Sequence, residues 1–386
     1  MPLPGVGPAA AYAAEYDLAH AASVRAAQCL LTTAQRRGGQ DLKSVARAGL
    51  GGTDDVLLRN AADDYWADPP TPLHAAFDKD EERTGAKLDE LNDRHYVWEG
   101  SLAVPPPKGY TDVQFQRIDQ KDNPFTKVGL STWISNQYWQ HEDDFYADQT
   151  PRAAKESVDA VNKIAEERYP AGGEDEEGRQ AWKDLTADHP MYADDARAFL
   201  ERGGFPTGAP DPDSMEFRVD VENLKARYAS CTTANPPDPH EVLSTEFAAA
   251  SQEWQQEVDG QRAQRDTILN EEAGAAADLQ VASQALGEAL GQSIIASRLT
   301  EWQAYWLKQS PDDLSYPSAA EFAKVKNDIV KAQAMALGRV FVASRAAQSA
   351  QRHATAAVTA QQAAYAIADA AGLPRGRGLL YGQQAV

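Results

Sequence analysis

The chain predicts an all-α protein: an irregular helical head followed by a long antiparallel coiled-coil helical hairpin. Three observations carry this. No alternating strand run and no βαβ rhythm occurs in the 386 residues. After Pro236, Pro237 and Pro239 there is no proline before Pro311. An interior proline costs a helix about 3 kcal/mol, so the gap permits continuous helix. The same stretch is rich in alanine, the best helix former, and repeats apolar residues at helical spacing.

Residues 1–8 are dense in Pro and Gly and predict no regular element. Ala9 to Arg37 predicts an amphipathic helix with Tyr12, Tyr16, Ala19, Val24, Ala27, Leu30 and Leu31 near one side, stopped by Gly38-Gly39. Leu42–Leu50 and Asp54–Trp66 follow, the second with Thr53 or Asp54 as N-cap. Pro69, Pro70 and Pro72 break the chain before a charged helix from Leu73 to Trp98. Val104–Gly109 is a polyproline segment, and Tyr110–Pro124 is aperiodic, a strand or a loop. An aromatic helix is expected over Val128–Phe145, then one over Arg152–Arg168 with Pro151 at its first position. Gly172–Gly178 predicts a solvated loop. Shorter helices complete the head at Arg179–Leu185, Ala193–Arg202 and Ser214–Tyr228.

The head spans 1–235 and the hairpin region 236–386, with helices at 241–308 and 318–371. The first helix would reach about 100 Å if unbroken, longer than globular helices usually run. Its apolar stripe is Leu279, Ala282, Leu286, Leu290 and Ile294, extended by Leu299, Trp302 and Trp306. The facing stripe is Phe322, Val325, Ile329, Ala336, Val340, Ala343 and Ala347. Gly260, Gly274, Gly287 and Gly291 are expected as close-packing points or soft kinks. The 309–317 link is short enough for antiparallel neighbours, and Gly372-Leu373-Pro374 stops the second helix.

Net charge is −21, which argues against nonspecific nucleic-acid binding. From Ser318 onward eight Lys/Arg face three Asp/Glu, a net +5, so the preceding residues carry −26. No run of about 20 apolar residues is present to span a membrane, and no signal peptide is visible at the start. Cys29 and Cys231 have no CxxC or Cys/His spacing for a metal. Two readings of them stand: a disulfide joining the first helix to the segment before the rod, or two buried free thiols.

Little of the chain suggests catalysis, and no cofactor is expected. The acidic pairs Asp54-Asp55, Asp63-Asp64, Asp143-Asp144, Asp194-Asp195 and Asp312-Asp313 invite comparison with the Mg²⁺ motif of helical terpene synthases. Asp63 to Asp68 has the wrong spacing and runs into Pro69, and Asn223–Arg227 lacks the matching Ser and Glu. His141-Glu142-Asp143-Asp144 holds one histidine, too few for a closed metal shell. His20 and His189 are lone histidines with structural roles expected. No GxSxG elbow or GxxxxGK loop occurs. Arg375-Gly376-Arg377-Gly378 follows a helix rather than a strand, and predicts a joint rather than a phosphate loop. Trp133, Tyr138 and Trp139 are the candidate partner surface.

The run Tyr192-Ala193-Asp194-Asp195-Ala196-Arg197-Ala198-Phe199-Leu200-Glu201-Arg202-Gly203 resembles the Ala-Leu-Phe (ALF) repeat unit of very long secreted proteins of Streptomyces and other actinobacteria. A fainter copy is Ala48–Leu58. Gln284–Gln292 and Ala371–Gln384 resemble the alanine-rich segments that lead into those proteins' coiled-coil stalks. Some are similar to polymorphic toxins, including umbrella-shaped antibacterial particles. About half the chain is covered. One repeat is not an array, and no toxin domain is present. The end at Val386, where an apolar helix restarts, predicts a piece of a longer polypeptide.

The resemblance implies a secreted, non-enzymatic scaffold of a toxin-like protein, holding an effector at a distance and docking protein partners. A helical Mg²⁺-dependent enzyme of terpene-synthase type and a binding module with an exposed aromatic cluster are the alternatives.

Overall fold

The computed structural model describes residues 16–64, 66–102, 123–139, 150–187, 191–231, 235–314 and 316–380, with backbone alone for 94–102 and 135–139. The described residues form thirteen α-helices, and their one β-type contact is an isolated bridge between Arg152 and Tyr192. The all-α class holds.

Helices α1 (Leu18–Arg37), α2 (Gln40–Leu50), α3 (Asp54–Asn60) and α4 (Pro72–Leu102) build the first core. Leu31, Leu42, Leu57 and Leu73 meet there, joined by Leu269 from far along the chain. Asp17 caps α1 by accepting from His20 N at 2.8 Å. The amides opening α2 are capped by a distant residue: the buried Asp80 of α4 accepts from Asp41 N and Leu42 N, both at 2.8 Å. A side chain at Gly39 would run into that carboxylate, with its Cβ 2.5 Å from Asp80 Cγ. Helix α3 stops at Asn60, six residues short of the expected Trp66. Beyond it the Asp64 carboxylate accepts from Trp66 N at 3.0 Å, a local turn that competes with helix.

The expected helix over Val128–Phe145 is interrupted. Asn123 caps a short α5 (Pro124–Lys127), Gly129 takes φ +78°, and α6 (Leu130–Trp139) restarts. The proline and aperiodic stretch at 104–122 lies outside the described residues, as do 140–149. Pro151 does not open the next helix. Residues 151–153 pair with 191–193 instead, through Ala153 N to Met191 O at 2.8 Å and Ala193 N to Pro151 O at 2.9 Å. The Arg152 guanidinium lies 4.2 Å over the Tyr192 ring. Helix α7 therefore begins later (Lys155–Arg168) and packs with α8 (Glu176–Ala187) and α9 (Ala193–Arg202) around Tyr169, Phe199 and Phe205. Gly203, at φ +62°, closes α9. Ser214 caps α10 (Met215–Ala229).

The single helix expected over 241–308 is two. Helix α11 (Ser244–Gly260) and α12 (Arg262–Trp306) meet at Gln261, a buried residue at φ −112°, ψ 10°. The break turns Phe247, Trp254 and Val258 of α11 into a core with Phe217, Val221 and Tyr228 of α10. Helix α13 (Ala319–Ala371) starts one residue after the expected 318 and ends as expected: Ser318 and Glu321 form a reciprocal capping box, and Gly372 at φ +70° ends it. At 1.5 Å per residue α13 is about 80 Å long and α12 about 70 Å.

Helices α12 and α13 pack closely, and α13 makes no comparable contact with any other described helix. As numbers fall along α12 they rise along α13: Trp302 meets Phe322 (ring centroids 5.4 Å), Glu288 meets Arg339 (2.6 Å) and Glu271 meets His353 (2.6 Å). Small residues form the seam. Ala282, Ala285 and Ala289 are buried on α12, and Ala343, Ala350, Ala357 and Ala364 recur every seventh residue on α13. Leu279, Leu286, Val340 and Ala347, expected inside, are exposed. Alanine lets the backbones approach where leucine would hold them apart. Gly274 is a close-packing point, against His353, and Gly287 packs on Phe125 rather than on α13. The turn after α13 packs back on the body: Leu379 joins Ile268 and Ala364, and Leu380 packs on both the first core and the α10–α11 core, so contacts cross position 235.

Candidate interaction surface

Helix α1, the α10–α11 pair and the C-terminal turn are tied together by three kinds of bond. Cys29 of α1 and Cys231, just after α10, form a disulfide with Cα atoms 5.5 Å apart. Beside it the Arg25 guanidinium lies 4.1 Å over the Tyr228 ring and donates to Ser251 Oγ at 2.7 Å. An ionic knot then joins α10, α11 and the C-terminal turn. Lys225, 1% exposed, reaches Glu222 (2.7 Å), Glu253 (2.9 Å) and Glu257 (2.7 Å). Arg377 grips Glu257 with two bonds of 2.6 Å and Glu222 with one of 3.0 Å, and Arg218 holds Glu253 at 2.6 Å. Three cations thus balance three carboxylates, which a buried cluster needs if desolvation is to be offset.

Burial lowers the Lys225 ammonium, but its hydrogen bonds to Glu222, Glu257 and Glu253 outweigh that and raise it above the ordinary lysine value. Burial raises Glu222 and Glu253, but their basic partners hold both below the usual carboxylate range. Lys225, Glu222 and Glu253 are thus each held in the charged form, which suits a clamp. Arg265, also buried, donates to Val258 O (2.9 Å), Gly378 O (3.1 Å) and Leu50 O (3.3 Å), gathering three chain segments at the α11–α12 break. The Arg375–Gly378 run is therefore a joint: Arg375 pairs with Asp369 at 2.7 Å, and Gly378 lies against the Glu257 carbonyl, with no room for a Cβ.

The acidic pairs are dispersed. Asp63 meets His74 (2.7 Å), Asp54 meets His20 (3.4 Å) and Asp195 meets Arg227 (2.7 Å). Asp143, Asp144, His141 and His189 lie outside the described residues. Among the described residues no three His, Cys, Asp or Glu side chains are placed to hold a metal. No described helix is long and apolar enough to cross a membrane. Trp133 is 45% exposed on α6, while the side chains of Tyr138 and Trp139 are outside the description.

The surface that sequence reasoning missed is the outward side of α13. Val330, Leu337 and Phe341 are 58%, 58% and 63% exposed, opposite the alanine seam. With exposed Ala334 they repeat at intervals of four, three and four residues, the spacing of a coiled-coil stripe. At 100° per residue Lys326, Lys331, Arg345 and Arg352 fall within about 90° of this stripe. Asp328, the one acid between 323 and 352, lies away from it, 3.3 Å from Lys324. The signal was present as a second apolar periodicity in α13, masked by alanines that fit either face.

No family model matches the chain, and no curated protein or solved structure is similar to it.

Proposed function

We propose that the chain is a non-enzymatic scaffold in which α12 and α13 form an antiparallel coiled-coil hairpin and α13 docks a helix from a protein partner. The carrying observation is the outward stripe of Val330, Ala334, Leu337 and Phe341 on a helix whose main packing partner among the described residues is α12. Its occupant is an amphipathic helix with acidic flanks, because cations border the stripe on both sides and no acid does. Pairing of two copies through this face would set Lys326, Arg345 and Arg352 against their equivalents, which like charge disfavours. The disulfide suits an oxidising compartment and so a secreted protein. The setting in a large toxin-like polypeptide, with an effector held at a distance, rests on the ALF and stalk resemblance.

Two measurements test this. A compact 386-residue particle has a radius of gyration of about 21 Å and a width of roughly 55 Å. Scattering from the chain is expected to show a maximum dimension clearly beyond that width, and a spherical profile overturns the hairpin. For docking, the probe is a synthetic four-heptad helix with Leu at a and d and Glu at e and g. It should bind wild type and lose binding on Phe341→Glu, and a peptide with Lys at e and g should not bind. Equal binding of both peptides, or binding unaffected by Phe341→Glu, refutes the docking surface.

A further inference from the structure

A cavity of about 200 Å³ opens where α2, α4 and α6 meet α12. Ala273, Ala276, Ala277 and Gln280 line it from one face of α12, four positions at helical spacing that leave the floor flat and mostly apolar. Lys43 and Arg47 line it from α2, and Arg83 and Lys87 from α4. Each pair is four residues apart, so like charges are stacked on one helix face twice over, and both faces look into the same space. Such pairs oppose helix stability. In a chain of net charge −21, four cations and one acid on the wall of a single cavity are a local concentration of basic side chains.

Three of the cations have carboxylate partners. Lys43 meets Glu272 at 2.7 Å, Arg83 donates twice to Asp41 at 3.0 and 2.7 Å, and Lys87 meets Glu90 at 2.8 Å and Gln284 at 3.0 Å. The half-buried Arg47 guanidinium has no hydrogen bond or ion pair among the described residues. Asp80, the one acid on the wall, spends its oxygens on the amides that open α2. Trp133 adds an aromatic face on the α6 side.

We propose that this cavity binds a small aromatic oxyanion: a single ring bearing a phosphate or carboxylate. The oxyanion pairs with the planar fork of Arg47, which matches both groups, and is flanked by the ion-paired Lys43, Arg83 and Lys87, whose remaining N–H groups can donate to it. The ring lies over the alanines and against Trp133. The volume is below the usual range for drug-sized ligands, which restricts the ligand to one ring. This site is independent of the scaffold reading, since it uses neither the outward face of α13 nor the partner helix.

The test is calorimetric titration of the full chain with phenyl phosphate, benzoate, inorganic phosphate and phenol at low salt. Phenyl phosphate or benzoate is expected to bind saturably and at least about tenfold more tightly than phosphate or phenol, one charge-assisted contact's worth. Arg47→Gln should weaken that binding by about tenfold or more with an unchanged melting curve, and Trp133→Ala should erase the advantage of the ring. Should Arg47→Gln fail to fold, Lys87→Gln reads the same effect. Phenyl phosphate and inorganic phosphate binding alike would mean a generic basic patch, and binding insensitive to both cation variants would mean another site. Either result, or no saturation by any of the four, overturns the proposal.

Discussion

Breaking the Cys29–Cys231 disulfide tests how the first helix is held to the rest of the body. The bond spans 202 residues of sequence. In the chain-entropy treatment a loop of that length restricts the unfolded ensemble by about 5 kcal/mol at 25 °C. Contacts beside the bond persist without it: Arg25 to Ser251, Gln28 to Gln255 at 3.2 Å and Trp254 to Gln28 at 3.3 Å. The folded state therefore loses little, and the effect acts through the unfolded chain. An unfolding entropy of about 2.1 cal/mol/K per residue gives roughly 0.8 kcal/mol/K for a chain of this length unfolding as one unit. The double variant Cys29→Ser/Cys231→Ser should then melt about 6 °C lower, with a lower urea midpoint. Wild type in reductant should match it, and the variant should not respond to reductant. Free thiols detected by a thiol reagent in the unreduced, denatured protein would refute the bond itself. A double variant as stable as oxidised wild type would refute the entropic argument.

Three further outcomes follow from the packing and the charges. Gly274→Ala should destabilise despite removing a helix glycine worth up to about 1 kcal/mol, because its Cβ would sit 2.7–2.9 Å from the His353 ring, which Glu271 holds; in a His353→Ala background the same change should stabilise, read from urea midpoints in a double-mutant cycle. Glu246 is fully buried, neither carboxylate oxygen has a hydrogen-bond partner from another described residue, and burial pushes it above the usual carboxylate range. A raised acid contributes stability below its unfolded pKa and loses it as pH rises through the folded value, so the melting temperature of Glu246→Gln should gain on wild type from pH 4 upward. Glu253, held low chiefly by its hydrogen bonds to Arg218 and Lys225 acting against burial, is the opposite case. Glu253→Gln should cost on the order of 1–3 kcal/mol at pH 7, and the difference from wild type should close as pH falls through the depressed carboxylate value.

Local chemistry made part of this fold legible in the sequence. Helix α13 was bounded to within one residue because Ser318 and Glu321 cap each other within one turn and Gly372 takes a left-handed conformation that other residues resist. The ends of α9 and α10 were legible for the same reason: each signal acts within a few residues. The all-α class came from spacing and from the absence of proline, which are also local. Tertiary structure decided what depends on distant groups. The break at Gln261 sits where Arg265 gathers carbonyls from α2 and the C-terminal turn, segments more than a hundred residues away on either side. The start of α2 answers to Asp80, and the late start of α7 to strand-like pairing with residues 191–193. Which face of α13 turned inward was a contest between alanines and larger apolar residues, and close backbone approach favoured the alanines. That choice left Val330, Leu337 and Phe341 outside. Periodicity can count apolar faces on a helix, but the neighbouring backbone determines which one is covered.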